Sequence, residues 1–485
     1  MSNQSKLNNL ALKAGAFYLM GQVFIRGLSF LTTILFTRWL TTEQFGIFKT
    51  YESWLLIMMP VVTLGLYRSV EVALYDYGER FPHYTGNTIR LGAILCVVFS
   101  ALCIIFREPV CRWTGMTDWM LYIGLAYIFA EFSYMCFLRL EKQRMRYKQM
   151  ISFTMTIFPA ATFLALGWMY FGRLQGHPQD NMLFYRVAGY YVPFSLAGII
   201  LGICLGVKGN RTVLRDWKYG LAFSVPLIAE LVSIQAMNQI DKIMIRNMVG
   251  AAEAGIYSLA TTVSYIIWVI EDAVWSAWLP WLYAKLDANL GEEVKRPWFL
   301  IMHVFGLLSI AIVGLAPEII AVLGGEKYRV AAYIVAPLTT ATLFRFYSYS
   351  FSAMQNFEKK TKYVSLGTII TMFINVILNY FGIKYYGYIA AAYATAVSYF
   401  ALMLIQAFFE KKVTGKRILP VGKSILVATA YFVICELFIF SYQMNPFLRV
   451  GCLFVILAIF FALNYKKLLS LVRILRKKTK GADHE

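Results

Sequence analysis

Three arginines stand inside long apolar stretches of this chain, Arg26, Arg68 and Arg345. Carboxylates share such surroundings at Glu131, Glu230 and the adjacent Glu271 and Asp272. An ionisable group in the middle of an apolar run costs roughly 3 kcal/mol or more, so each is a functional-site candidate by default. A guanidinium stays charged at any working pH and offers a planar fork that matches phosphate oxygens. A buried carboxylate can take up a proton or a sodium ion and so couple another movement to a gradient. The competing reading is structural: an arginine and a carboxylate paired in the interior lock helices together. Phe346, Tyr347 and Tyr349 flank Arg345. A tyrosine, with a polar tip on an apolar body, suits stacking on a sugar face, and equally suits packing.

The elements that position these residues are apolar helices. The 485 residues are 59% hydrophobic and 15% charged, against about 25% charged in a soluble globular chain, which points to lipid as the main solvent. A span needs roughly 20 apolar residues. Apolar runs occur at 11–36, 45–70, 89–107, 118–138, 150–172, 183–206 and 217–240, then at 254–280, 298–322, 331–355, 362–383, 387–409, 421–441 and 446–464. The reading is an all-α integral membrane protein with about fourteen transmembrane helices. Pro60, Pro159, Pro193, Pro226 and Pro337 fall in these runs, where spans tolerate proline. Arg26 lies roughly 21 Å along its helix, too deep for easy snorkelling. Arg345 is at comparable depth, while Arg68 is near a span end. Asp241 and Lys242 read as a solvated end, and Trp275, Trp278 and Trp281 as an interfacial belt.

Charge orients the spans. With the N-terminus in the cytoplasm, about 31 of the 46 Lys and Arg residues fall on that side. They include Arg139 to Lys148, Lys208 to Lys218, Lys411 to Arg417 and the tail from Lys466 to Lys480. The alternation runs the whole length, so both termini are expected in the cytoplasm. The net charge of +20 is thus spread over short loops, which argues against a nucleic-acid surface. Seven cysteines lie mostly in apolar runs without CxxC spacing, and His83, His177, His303 and His484 form no metal motif. No metal or other cofactor is expected. The first residues lack the pattern of a cleaved signal peptide, so the first span is expected to be retained.

The chain also repeats itself weakly. Residues 36–53, FTRWLTTEQFGIFKTYES, align with residues 244–261, MIRNMVGAAEAGIYSLAT. Arg38 then matches Arg246, and Phe45-Gly46-Ile47-Phe48 matches Ala254-Gly255-Ile256-Tyr257. Repeated halves of like topology, with a substrate site between them, are a transporter feature. The repeat divides the chain into a six-helix bundle at 1–212, a second at 213–416, two additional helices at 417–465 and a basic cytoplasmic tail at 466–485. Glu131 and Arg345 occupy corresponding spans of the two halves, which allows a charge pair between them.

At four places the sequence resembles the polysaccharide-repeat-unit (O-antigen) flippases of the multidrug/oligosaccharidyl-lipid/polysaccharide (MOP) exporter superfamily. These are Arg38-Trp39-Leu40-Thr41 followed by Phe45-Gly46; Thr63-Leu64-Gly65-Leu66 leading to Arg68; Leu138-Arg139-Leu140-Glu141-Lys142-Gln143; and Asn238-Gln239-Ile240-Asp241-Lys242 before Gly255-Ile256-Tyr257. The resemblance implies a twelve-helix core of two bundles plus two C-terminal spans. It implies translocation of an undecaprenyl-diphosphate-linked oligosaccharide to the outer leaflet of the bacterial inner membrane, by alternating access coupled to a proton or sodium gradient. A polysaccharide polymerase would be a natural partner, alongside the bilayer and the glycan. On that reading Arg26, Arg345, Arg68, Tyr347 and Tyr349 are substrate-binding candidates, and Glu131, Glu230, Glu271 and Asp272 coupling or counterion candidates. A peptidoglycan-precursor flippase and a cation-coupled drug exporter of the same superfamily remain alternatives, although three embedded arginines favour an anionic headgroup. A membrane-embedded polymerase or glycosyltransferase is a second alternative; against it, the outward loops are only about ten to twenty residues long and no nucleotide-binding glycine loop or catalytic triad is present.

Overall fold

The computed structural model describes residues 21, 24–210, 213–415, 418–460, 462 and 465. The start of the first apolar run, Arg211, Lys416, Arg417 and the basic tail therefore lie outside the described residues. Every regular element among the described residues is a helix. They are α1 (24–39), α2 (Thr42–Val62), α3 (Ser69–Tyr77), α4 (Phe81–Ile105), α5 (Arg107–Thr114), α6 (Asp118–Gln143), α7 (Tyr147–Leu174), α8 (Asn181–Gly206), α9 (Val213–Ser224) and α10 (Ile228–Met248). There follow α11 (Ala251–Asp287), α12 (Glu292–Gly314), α13 (Ala316–Gly324), α14 (Ala331–Phe357), α15 (Thr361–Tyr386), α16 (Ala390–Thr414), α17 (Val421–Ile439) and α18 (Pro446–Phe460).

The chain divides into two compact units, Met1–Ala252 and Glu253–Glu485. The division falls after α10 rather than at residue 212, because α10 packs along α2 and α9 against α4. In the first unit α6 packs on α8, α7 on α8 and α4 on α6. In the second the same scheme recurs eight helices later: α14 on α16, α15 on α16 and α12 on α14. Each unit also follows a long helix with a single linking residue, Phe106 or Leu315, and a short helix, α5 or α13. The aligned tetrapeptides have one burial pattern, since Phe45, Gly46 and Phe48 are buried like Ala254, Gly255 and Tyr257. The repeat is thus a repeat of packing. The arginines aligned with it have different roles: Arg38 is exposed, whereas Arg246 donates to the carbonyls of Thr114 and Gly115 at 2.9 and 2.5 Å, capping α5.

Ten helical stretches among the described residues are long and apolar enough to cross a membrane. The first, second, tenth and fourteenth apolar runs fall on α1, α2, α14 and α18, outside those ten. For α2 and α14 the cause is polarity: α2 carries Glu43, Lys49 and Glu52, and α14 carries Arg345 among many hydroxyls. α14 is buried almost end to end, so its neighbours are protein rather than lipid and its surface has no need to be apolar.

The second apolar run is not one helix. A capping box starts α2, Thr41 Oγ1 accepting from Gln44 N at 3.0 Å and Gln44 Oε1 from Thr41 N at 3.2 Å. Beyond Pro60 the chain turns left-handed at Leu64 (φ 49°) and Gly65 (φ 61°), and Gly65 N donates to the Pro60 carbonyl. Glycine meets that need at no steric cost; a Cβ on Gly65 would also lie 2.8 Å from Leu231. Arg68 sits beyond the break, in a short 3-10 turn. Pro226 likewise falls in a 3-10 turn that separates α9 from α10, while Pro159, Pro193 and Pro337 lie within continuous helices.

Candidate functional site

In the first unit the polar interior gathers where α1, α2, α8 and α10 approach one another. Arg186 of α8 is the centre, only 8% exposed. Its guanidinium carbon lies 4.0 Å from the ring centre of Phe36, 4.3 Å from that of Phe48 and 5.1 Å from that of Tyr190. Among the described residues, Nε and Nη1 have no hydrogen-bond partner and no carboxylate forms an ion pair with Arg186. Three faces at such distances hold a desolvated cation by about 0.5–2 kcal/mol each, which compensates part of the cost of burying an unpaired charge.

Two more cations stand nearby. Lys49 of α2 pairs with Glu52 at 2.8 Å and lies over Phe45 and Phe48. Lys242 of α10 is buried and donates to Gln239 Oε1 at 2.9 Å, an oxygen that also accepts from Ser53 Oγ at 3.0 Å. Lys242 and Asp241 are therefore interior residues, not a solvated helix end, because α10 lies along α2 at this point. Glu52 is within electrostatic reach of Lys49, Lys242 and Arg186 together, so this carboxylate serves three cations. Tyr51, Tyr127, Tyr190 and Tyr191 surround the group edge to face, with Tyr191 4.7 Å from Tyr127 and 5.2 Å from Tyr51. Glu131 accepts from Tyr127 at 3.2 Å. A cluster of this kind, positive and flanked by tyrosine rings, has the chemistry that suits an anion with an attached polar ring.

In the second unit Arg345 is committed to Glu271. Its Nη2 lies 2.7 Å from Glu271 Oε2, both side chains are almost fully buried, and Trp268 covers the guanidinium at 3.8 Å. The pair links α14 to α11, the structural alternative weighed for these residues. Arg345 Nε and Glu271 Oε1 remain without partners. Asp272, next in the chain, is exposed. Tyr347 is wholly buried and donates to the Met302 carbonyl at 3.0 Å, and Phe346 packs on Phe305 and Trp298, so both rings belong to the core. Tyr349 remains 36% exposed, 5.5 Å from Arg345. Trp278 is buried against Trp281 and Trp298 rather than in an interfacial belt.

Arg26 is half-buried on α1, and Glu230 half-buried in the first turn of α10. Arg68 pairs with Glu71 at 3.2 Å, and Arg139 approaches the same carboxylate at 3.8 Å while covering Tyr67.

Sequence reasoning missed Arg186, Lys49 and Glu52. Arg186 lies only three residues inside the apolar run 183–206, whereas α8 starts earlier, at Asn181. The usable signal was local, a cation one turn before Tyr190-Tyr191 in NMLFYRVAGYY.

A family profile described as polysaccharide biosynthesis protein matches residues 11–286. The chain belongs to that family. This polysaccharide biosynthesis family member is 22% identical over 421 residues to Lsg locus putative protein 1 of Haemophilus influenzae, covering 83% of this chain and 98% of the relative. It is 20% identical over 401 residues to the probable low-salt glycan biosynthesis flippase Agl15 of Haloferax volcanii, covering 80% and 81%. Among solved structures it resembles the lipid II flippase MurJ in an inward closed conformation, with a TM-score of 0.67 at 14% identity over 94% of this chain and 99% of that one. A multidrug resistance MATE family transporter of the MOP superfamily, inward-facing, matches with a TM-score of 0.56 at 13% identity over 86% and 96%. These likenesses establish a MurJ- and MATE-like fold for a multi-pass membrane protein of the polysaccharide biosynthesis family.

Proposed function

We propose that this protein is a flippase for a polyprenyl-diphosphate-linked oligosaccharide, an O-antigen, capsule or exopolysaccharide repeat unit. It carries the headgroup from the cytoplasmic to the outer leaflet of the bacterial inner membrane by alternating access, with both termini in the cytoplasm, and is not an enzyme. The observation that carries this reading is the excess of buried positive charge around Arg186: three cations, Arg186, Lys242 and Lys49, share the one carboxylate Glu52 among tyrosines, and Arg186 forms no ion pair among the described residues. A diphosphate leaving water needs fixed cations in place of its hydration shell, and tyrosine faces suit the first sugars. A drug cation would be repelled by the same group. The flippase relative Agl15 and the family match support the class of cargo. Coupling to a proton or sodium gradient, and handover to a polymerase, are part of the proposal.

The test is reconstitution of the full chain in proteoliposomes with a fluorescent polyprenyl-diphosphate oligosaccharide, following its access to an external quencher. Wild type flips the labelled lipid, and Arg186→Met and Lys242→Met lower the rate per folded protein at least tenfold. A chain that flips lipid II equally well belongs to the peptidoglycan-precursor reading. Longer glycan products without flipping would establish a polymerase instead.

A further inference from the structure

A cleft of about 840 Å³ opens in the second unit between α12, α17 and α18. Its two main walls start together: Lys295 and Arg296 lie in the first turns of α12, Lys423 in the first turn of α17. Eight residues further along each helix, roughly 12 Å deeper, stand His303 and Tyr431. The walls are fastened at both levels, by Trp298 Nε1 to Ser424 Oγ at 3.4 Å and by His303 Nδ1 and Tyr431 Oη at 3.0 Å. Phe299, Leu300 and Phe460 make the rest of the deep part apolar.

The mouth is positive beyond local compensation. Lys295 pairs with Glu292 at 2.5 Å, and Glu293 with Lys285 at 2.5 Å. Among the described residues, Arg296 and Lys423 have no ion pair. The amino ends of α12 and α17, 23 and 19 residues long, open on the same side and add the partial positive charge of their helix dipoles. A cationic mouth at the level of span ends, above an apolar slot, is complementary to a molecule with an anionic head and a hydrocarbon tail. A bare polyprenyl chain needs no cations, and a soluble anion needs no slot.

We propose that this cleft binds an anionic glycerophospholipid, with its phosphate at Arg296, Lys423 and the two helix ends and an acyl chain against Phe299, Leu300 and Phe460. The lipid fills the gap between α12 and the C-terminal pair α17–α18 and holds that pair in register. This site is independent of the cargo proposed above, and its test reads lipid binding alone.

Full-length protein in a neutral detergent is titrated with dioleoyl phosphatidylglycerol, and bound lipid is counted by native mass spectrometry. At about fivefold per basic residue facing an anionic lipid, Arg296→Gln with Lys423→Gln weakens binding about twenty-five-fold. Arg296→Lys with Lys423→Arg stays within about threefold, as expected from retained charge. Lys411→Gln removes an exposed cation outside the cleft and leaves binding unchanged. Dioleoylglycerol, which lacks the phosphate, does not compete. The proposal is overturned if the double Gln variant binds like wild type or if Lys411→Gln loses as much. It is equally overturned if a long-chain polyprenol or inorganic phosphate displaces the lipid, which would make the cleft a tail groove or a simple anion site.

Discussion

Replacing Arg345 by Met and Glu271 by Gln, singly and together, separates an internal fastening from a cargo contact. The two groups meet at 2.7 Å with side chains only 4% and 3% exposed. Arg345→Met leaves a carboxylate in the interior with no cation, which should cost about 3–5 kcal/mol of stability. Glu271→Gln keeps a neutral acceptor, and Trp268 still covers the guanidinium at 3.8 Å, so about 1–3 kcal/mol should be lost. In the double variant nothing charged is left unpaired. It should fall within about 2 kcal/mol of wild type, giving a coupling of roughly 2–8 kcal/mol between the sites. The assay is the fraction of full-length protein that stays monodisperse in detergent across a denaturant series, for all four members of the cycle. Transport is then measured per folded molecule. Recovery of both stability and flipping in the double variant makes the pair structural; recovery of stability without flipping gives Arg345 a direct part in holding the headgroup. Strictly additive losses would refute the reasoning, because they would mean that neither residue depends on the other.

Arg186→Met should leave the amount of folded protein near wild type, since the guanidinium forms no ion pair among the described residues and its burial is only partly compensated, while weakening the cargo contact about ten- to over a hundred-fold; a folding loss with normal affinity, read by expression and flipping together, would contradict the site. Glu131→Gln and Glu230→Gln should leave cargo binding intact, and whichever residue carries the coupling ion should make flipping insensitive to an imposed gradient; unchanged gradient dependence in both removes coupling from these positions. Gly115→Ala should destabilise by about 3 kcal/mol or more, because φ is 66° and a Cβ would fall 1.5 Å from the Arg246 guanidinium that caps α5. Cysteine labelling from outside should reach residue 177 and miss residue 145; the reverse would invert the topology drawn from the Lys and Arg alternation.

The helical fold and its internal repeat were legible because lipid imposes a simple rule, about twenty apolar residues per crossing, and the repeated loops keep their glycine. The rule fails where a helix meets protein on every side or a polar stretch faces its own unit. Arg345 was visible as a cation in an apolar run, but its partner was not: Glu271 is 74 residues away in the chain, and only packing of α14 against α11 joins them. Tyr347 had the composition of a sugar-stacking residue, and its hydroxyl turns out to be held by the Met302 carbonyl. The break at Leu64-Gly65 was hidden because Leu at a positive φ has no signature in composition. Lys242 looked like a helix end because a single sequence does not reveal that α2 lies beside it.

The polarity of α14 bears on how the protein is made. A segment with an arginine at mid-length and hydroxyls along its sides does not partition readily from the translocation channel into lipid, since a central arginine alone opposes insertion by about 2.5–3.5 kcal/mol. Its most extensive neighbour, α16, is completed at Thr414, well after α14 ends at Phe357, a delay of several seconds at ordinary synthesis rates of about 5–20 residues per second. During that interval α14 has to be sheltered, either at the channel or against the already inserted α11 and α12. α14 therefore does not enter the bilayer as an independent span, and the rate at which the ribosome delivers α15 and α16 becomes part of its assembly.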